Sequence, residues 1–160
     1  MNQKSISISY KEYTSNEGLD SRDMELLERA QLAAGGSYAP YSNFNVGAAV
    51  RLSNGEIVAA SNQENAAYPS GLCAERVAIF YAHARFPEAS VEAIAVTASV
   101  DGHICETPTY PCGACRQVLA ESEMRAGRPI KVIIGGEKFT QVMESIRSLL
   151  PFTFDNLPKR

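Results

Sequence analysis

The stretch 72-LCAERVA-78 puts a cysteine two places before a glutamate, with an arginine directly after it, where an apolar helical pattern begins. The predicted helix runs from Cys73 to about Arg85, and the patterns on either side of it decide the fold. Upstream, Phe44, Val46, Ala48 and Val50 alternate with polar or small residues. Ser53-Asn54-Gly55 then supplies hairpin chemistry before a second strand in EIVAASN, 56–62, so these two strands are antiparallel. Further upstream, Asp20 or Ser21 caps a helix through DMELLERAQLAA, with Leu27, Ala30 and Ala34 on one face and Gly35-Gly36 as its stop. Downstream come a strand from about Val91 to Val100, a helix from Cys112 to about Met124, a strand in IKVIIGG, 130–136, and a last helix near 140–150. A hairpin followed by helical crossovers favours parallel neighbours and a doubly buried sheet, which predicts an α/β protein with three layers, α/β/α, around a mixed sheet of about five strands.

Residues 1–20 are polar, although Ile6, Ile8 and Tyr10 alternate with Ser and Lys, and read as an extended arm or edge strand. Residues 21–160 read as one domain. A chain of 160 residues buries roughly 70% of its unfolded surface and needs no disulfide staples. With 15 Lys and Arg against 18 Asp and Glu, it has no strong positive field to collect phosphates, which argues against a nucleic-acid partner. The stretch MNQKSISISYKEY lacks the apolar core of a signal peptide, and no stretch approaches the roughly 20 apolar residues of a membrane span. The expected location is cytoplasmic, with no membrane partner. The four cysteines, Cys73, Cys105, Cys112 and Cys115, then sit in a reducing compartment, where metal binding or catalysis explains a cluster better than disulfides do.

A second motif, 111-PCGACRQ-117, follows the long loop DGHICETPTYP, 101–111, and places Cys112 and Cys115 at C-x-x-C spacing on a helix start. Positions i and i+3 share a helix face, so both sulfurs can point at one ion. Alone, this spacing also suits a redox pair or a structural zinc knuckle. A redox pair has no need of Cys73 at another helix mouth, and a closed zinc site needs a fourth protein ligand. Cys105 is the candidate for that place, but it lies in the strand-like run His103-Ile104-Cys105 and reads as an ordinary buried thiol. His83 and His103 likewise read as ordinary side chains. Three thiolates without a fourth protein group leave a tetrahedral Zn2+ one position open for water, the pattern of a catalytic site.

Both motifs sit at helix starts, whose positive partial charge and free N–H groups favour thiolates. Three thiolates and one Zn2+ sum to one negative charge, which Arg76 and Arg116, each close to a ligand cysteine, are placed to offset by donating hydrogen bonds to sulfur. Glu75 cannot ligate comfortably beside Cys73, because i and i+2 point to nearly opposite faces. It reads as a proton shuttle, provided Cys73 lies at or before the first helical residue.

Taken together, Cys73-Ala74-Glu75-Arg76 and Pro111-Cys112-Gly113-Ala114-Cys115-Arg116-Gln117 resemble the small homotetrameric zinc cytidine deaminases. The resemblance extends to APYSNFNVGAA, 39–49, and NQENAAYPSG, 62–71, and covers about residues 22–154. It implies a cytidine deaminase-like fold, one Zn2+ per subunit and deamination of cytidine or deoxycytidine in pyrimidine salvage, with Glu75 shuttling the proton. It also implies that Asn62 and Glu64 bind the ribose hydroxyls, that Phe44 packs on the pyrimidine, and that backbone at Ala74 reads the base edge. Phe154, in LLPFTF, resembles an aromatic that these enzymes lend to a neighbouring subunit's site in the homotetramer. The polar arm and the 101–111 loop depart from the simplest family pattern. Two alternatives stay open: a deaminase acting on a related cytosine nucleoside such as blasticidin S or on a base within RNA, and a non-catalytic zinc module closed by Cys105.

Overall fold

Caps and turn glycines divide the chain into β1 (Lys11–Thr14), α1 (Ser21–Ala34), β2 (Asn45–Leu52), β3 (Ile57–Ser61), α2 (Ala74–Arg85), β4 (Val91–Val100), β5 (His103–Ile104), α3 (Gly113–Ala126), β6 (Lys131–Gly135) and β7 (Phe139–Met143). Short 3-10 turns lie at Tyr68–Ser70 and Ile146–Ser148. The computed structural model describes residues 1–14 and 17–155, so the last residues of the predicted domain lie outside it. Asp20 caps α1 by accepting a hydrogen bond from the Arg22 amide at 3.0 Å.

The strands form one sheet in the order β1-β7-β6-β4-β2-β3, with β5 folded back on the end of β4. The 2-3 and 2-4 pairs are antiparallel and the 4-6 pair is parallel. Helices cover both faces, as expected. Ala93 and Ala95 of β4 join Leu26, Leu27 and Ala30 of α1, while the alternate Ile94 and Val96 join Ala78 and Ile79 of α2 and Leu119 of α3. Side chains alternate across a strand, so a strand sandwiched this way buries every residue, and Ala48, Ala49 and Val50 are all fully buried.

Two expectations need correction. The last helix is absent: residues 139–143 form β7, antiparallel to β6 through a tight turn in which the Gly136 amide donates to the Phe139 carbonyl at 3.1 Å. Among the described residues the sheet therefore has seven strands rather than about five. The N-terminal arm does supply an edge strand, but at Lys11–Thr14 against β7, where Lys11 also pairs with Glu144 at 3.1 Å. Ile6, Ile8 and Tyr10 remain exposed.

Glu123 of α3, buried to 8% exposure, ties the C-terminal turn to the sheet. One of its oxygens accepts the Ile130 and Ile146 amides at 2.8 and 2.9 Å, and the other accepts the Ser145 hydroxyl at 3.0 Å. Glu123→Gln keeps acceptor capacity for only part of this set, so it is expected to cost about 1–2 kcal/mol in urea unfolding. An unchanged unfolding midpoint would mean that this tie adds nothing to the stability of the fold.

Topology fixes where chemistry can occur. Because β3 and β4 are both antiparallel to β2, they run parallel to each other. The helix after each, α2 and α3, starts beyond its carboxyl end, so two helix mouths open at one edge of the sheet, where open α/β sheets bind ligands.

Candidate metal centre and active site

Cys73 and Cys112 occupy the N-cap positions of α2 and α3, each with extended backbone, φ/ψ −68°/152° and −66°/169°. This one-residue offset from the helices, with Ala74 and Gly113 as the first helical residues, turns each sulfur over its own helix mouth. It also frees Glu75 from the i to i+2 conflict. Cys115, one turn into α3, is fully buried. The Cys73 and Cys112 sulfurs are 3.9 Å apart and those of Cys112 and Cys115 3.5 Å apart, with all three within 4.8 Å of one another. A tetrahedral ion with Zn–S bonds of about 2.3 Å spaces its sulfurs about 3.8 Å apart, so this thiol set fits Zn2+ with little movement.

Cys105 does not join the three. Its amide donates to the Ala98 carbonyl at 2.9 Å and its carbonyl accepts the Glu137 amide at 3.0 Å, which places it in the wall between the β4-β5 hairpin and the β6-β7 turn. Cys105→Ser is therefore expected to retain one zinc per subunit and more than half of the activity. Loss of the metal in that variant, measured by elemental analysis, would instead indicate a closed four-cysteine site.

The charges around the cluster are graded. Hydrogen bonding from Cys115, then from Arg76 and Cys112, outweighs partial burial and pulls the Cys73 thiol down to about 5. Arg76 Nη2 donates to the Cys73 sulfur at 3.7 Å, and its Nε is buried without a hydrogen-bond partner among the described residues. Cys115 moves the other way: its hydrogen bond to Cys73, its burial and the nearby Glu75 charge all hold its proton on. Glu75 is 4% exposed, and burial, reinforced by the Cys73 charge, raises its carboxyl above the ordinary range. A carboxyl raised in this way beside a metal-ligating cluster is suited to carrying a proton in both directions.

Arg116 has a different task from the one expected. Its Nε donates to the Pro111 carbonyl and its Nη1 to the Leu149 carbonyl, both at 2.8 Å, so the guanidinium fastens the C-terminal turn to the start of α3. A helical side chain reaches about one turn. This one directs that reach to the carbonyls of Pro111 and Leu149.

A cleft of about 250 Å³ opens beside Cys73 and Arg76, with Asn62, Glu64, Tyr68 and Leu72 in its walls. Its floor is stitched by backbone pairs, Gln63 to Leu72 in both directions at 2.9 Å and Tyr38 to Asn62 and Glu64 at 3.0 and 2.8 Å. The Asn62 carboxamide accepts the Val46 amide at 2.8 Å and donates to the Phe44 carbonyl at 2.9 Å, fixing the strand end that carries Phe44. Glu64 accepts from the amides of Tyr41 and Ser42 at 3.0 and 3.3 Å and from the Ser42 hydroxyl at 2.5 Å. The Ser42 hydroxyl, then the Tyr41 amide, holds its carboxyl below the ordinary range.

The structure thus gathers Asn62, Glu64, Cys73 and Arg76 around one opening, with Glu75 and Ala74 buried at the helix start behind it. Phe154 is not among the cleft walls and is 72% exposed. Tyr68 and Leu72 were not singled out from the sequence, although both lie within the quoted stretches NQENAAYPSG and LCAERVA. Neither belongs to a ligand-spaced pair or cluster that spacing would flag.

Residues 20–128 match the family described as the cytidine and deoxycytidylate deaminase zinc-binding region. A cytidine deaminase of Halalkalibacterium halodurans is 45% identical over 96 residues, 60% of this chain and 68% of that one. A cytidine deaminase of Mycobacterium tuberculosis is 36% identical over 139 residues, 84% of this chain and 92% of that one. The crystal structure of cytidine deaminase from Burkholderia pseudomallei superposes with a TM-score of 0.66 at 38% identity, covering 82% of this chain and 98% of that one.

Proposed function

We propose, from the premise that this chain belongs to the cytidine and deoxycytidylate deaminase zinc-binding family, that it hydrolyses cytidine and deoxycytidine to uridine, deoxyuridine and ammonia. The observation that carries this reading is the meeting of three cysteine sulfurs from two helix mouths beside the buried Glu75. Cys73, Cys112 and Cys115 would hold one Zn2+ per subunit. When bound, zinc supplies Lewis-acid activation, lowering the pKa of water toward about 7.

Glu75 takes one proton from water and passes it to ring N3 as the oxygen adds to C4. It then carries the second proton of that water to the amine, the C4–N bond breaks, and ammonia leaves as the carbonyl forms. Arg76 steadies the Cys73 thiolate so that the negative charge of the thiol set does not accumulate on one sulfur. Asn62, after its two backbone contacts, retains an N–H and a lone pair for a sugar hydroxyl. Glu64, ionised and prearranged by Ser42, accepts from a second hydroxyl and repels a phosphate, which favours a nucleoside over a nucleotide. Phe44 packs against the pyrimidine, and backbone at Ala74 reads its edge. Phe154, exposed and outside the walls of its own chain's cleft, completes the site of a neighbouring copy in a homotetramer. The setting is pyrimidine salvage in the cytoplasm. Among the described residues, no helix is long and apolar enough to cross a membrane.

Rates with cytidine, deoxycytidine, cytosine and adenosine, measured side by side, test the substrate. Both nucleosides of cytosine should turn over, and free cytosine and adenosine should not. Equal rates on free cytosine would remove the sugar-binding roles of Asn62 and Glu64.

A further inference from the structure

The last residue of the PCGACRQ motif, Gln117, has no role in the chemistry above, yet both ends of its carboxamide are engaged. Its Nε2 donates to the Phe154 carbonyl at 2.9 Å, and its Oε1 accepts the Phe154 amide at 3.3 Å. One carboxamide therefore grips both backbone groups of one residue, as a strand partner would. We infer that Gln117 is a positioning residue that sets Phe154 relative to the helix carrying Cys112 and Cys115.

Three features favour this reading. First, residues 150–155 form neither helix nor strand, so nothing regular holds them. Second, α3 supplies three anchors to this tail: Glu123 holds Ser145 and Ile146, Arg116 holds the Leu149 carbonyl, and Gln117 holds Phe154, while Arg147 of the 3-10 turn ties Thr153 and Asp155 on either side without gripping Phe154 itself. Arg116 and Gln117 directly follow Cys115, so two of the three metal ligands and these two anchors belong to one helix. Third, the gripped residue leaves its apolar ring 72% exposed, open to contact with a neighbouring copy. A backbone clamp fixes the direction of that ring without touching it.

The inference rests on the reading that Phe154 completes a neighbouring copy's cleft. Without the clamp the tail samples other conformers, and apparent affinity falls in proportion to the fraction that stays competent. If that fraction drops to about one tenth, KM rises about tenfold. Turnover of bound substrate should change little, because Glu75 and the three sulfurs are untouched.

The test compares zinc-loaded wild type, Gln117→Leu, Phe154→Ala and the double variant. Zinc content and thermal midpoint are recorded for each, and hydrogen exchange of the peptide spanning 150–155 is followed. Gln117→Ala replaces the leucine variant if that one loses zinc. The expected results are a roughly tenfold KM rise with kcat within about threefold for Gln117→Leu, faster exchange at Phe154, and no further KM rise when Gln117→Leu is added to Phe154→Ala. A KM unchanged by Gln117→Leu while Phe154→Ala raises it would overturn the clamp, as would additive effects in the double variant. A KM unchanged by Phe154→Ala would reject the role given to Phe154, and the clamp with it.

Discussion

Glu75→Ala should bind one zinc per subunit like the wild type and lose roughly 10²- to 10⁴-fold in kcat, the range over which a positioned proton carrier acts. The separation follows from geometry. The three sulfurs come from Cys73, Cys112 and Cys115, each placed by the backbone at the start of α2 or α3, and the Glu75 carboxylate accepts a hydrogen bond from the Cys115 thiol without supplying a ligand of its own to the set. The side chain is instead buried at the mouth of α2, where desolvation favours its protonated form and so its ability to give a proton back. Cys112→Ala should show the opposite pattern, with zinc lost and activity lost as a consequence. Metal analysis and steady-state rates on the same preparations distinguish the two. A Glu75→Ala enzyme with full activity would remove Glu75 from the chemistry, and one without zinc would make its role structural.

The second large effect is on the fold and lies on the opposite face of the sheet. At Gly47 of β2, an added Cβ would meet the Ala30 carbonyl oxygen at 1.9 Å and the Ala34 amide at 2.6 Å. Both contacts are with the backbone of α1, so no side chain can swing aside. The helix itself would have to retreat from a face on which Leu26, Leu27 and Ala30 are fully buried. Gly47→Ala should therefore cost at least about 3 kcal/mol, the upper end of the usual penalty for overpacking. A urea unfolding curve reads this directly. A loss below about 1 kcal/mol would mean that α1 is free to slide on β2.

The three-cysteine cluster was legible because its signals are local. A cap position, an i to i+3 pair and two helix mouths can all be read within a few residues of Cys73 and Cys112. β2 and β3 were legible for the same reason, with Ser53-Asn54-Gly55 marking the turn between alternating runs. The C-terminal region was not. Phe139, Val142, Met143, Ile146, Leu149 and Leu150 stand at i, i+3, i+4, i+7, i+10 and i+11, an ideal helical stripe. Long-range partners decide otherwise: β6 and β1 pair with residues 139–143, and Glu123 takes the Ile146 amide. Arg116 was misjudged on similar grounds, since its neighbour in sequence is a cysteine but its partner in space is the Leu149 carbonyl. Asn62 and Glu64 could be flagged as polar residues of a motif, but their grip on the 41–46 backbone appears only once β2 and the 62–64 segment are side by side.

The central claim is that the three-sulfur centre and Glu75 deaminate a cytosine nucleoside. The most direct test is to mix the purified, zinc-loaded protein with cytidine and follow the ultraviolet absorbance while assaying released ammonia. The account predicts conversion to uridine with one ammonia per cytidine consumed. A folded protein that carries its zinc and converts neither cytidine nor deoxycytidine would contradict it.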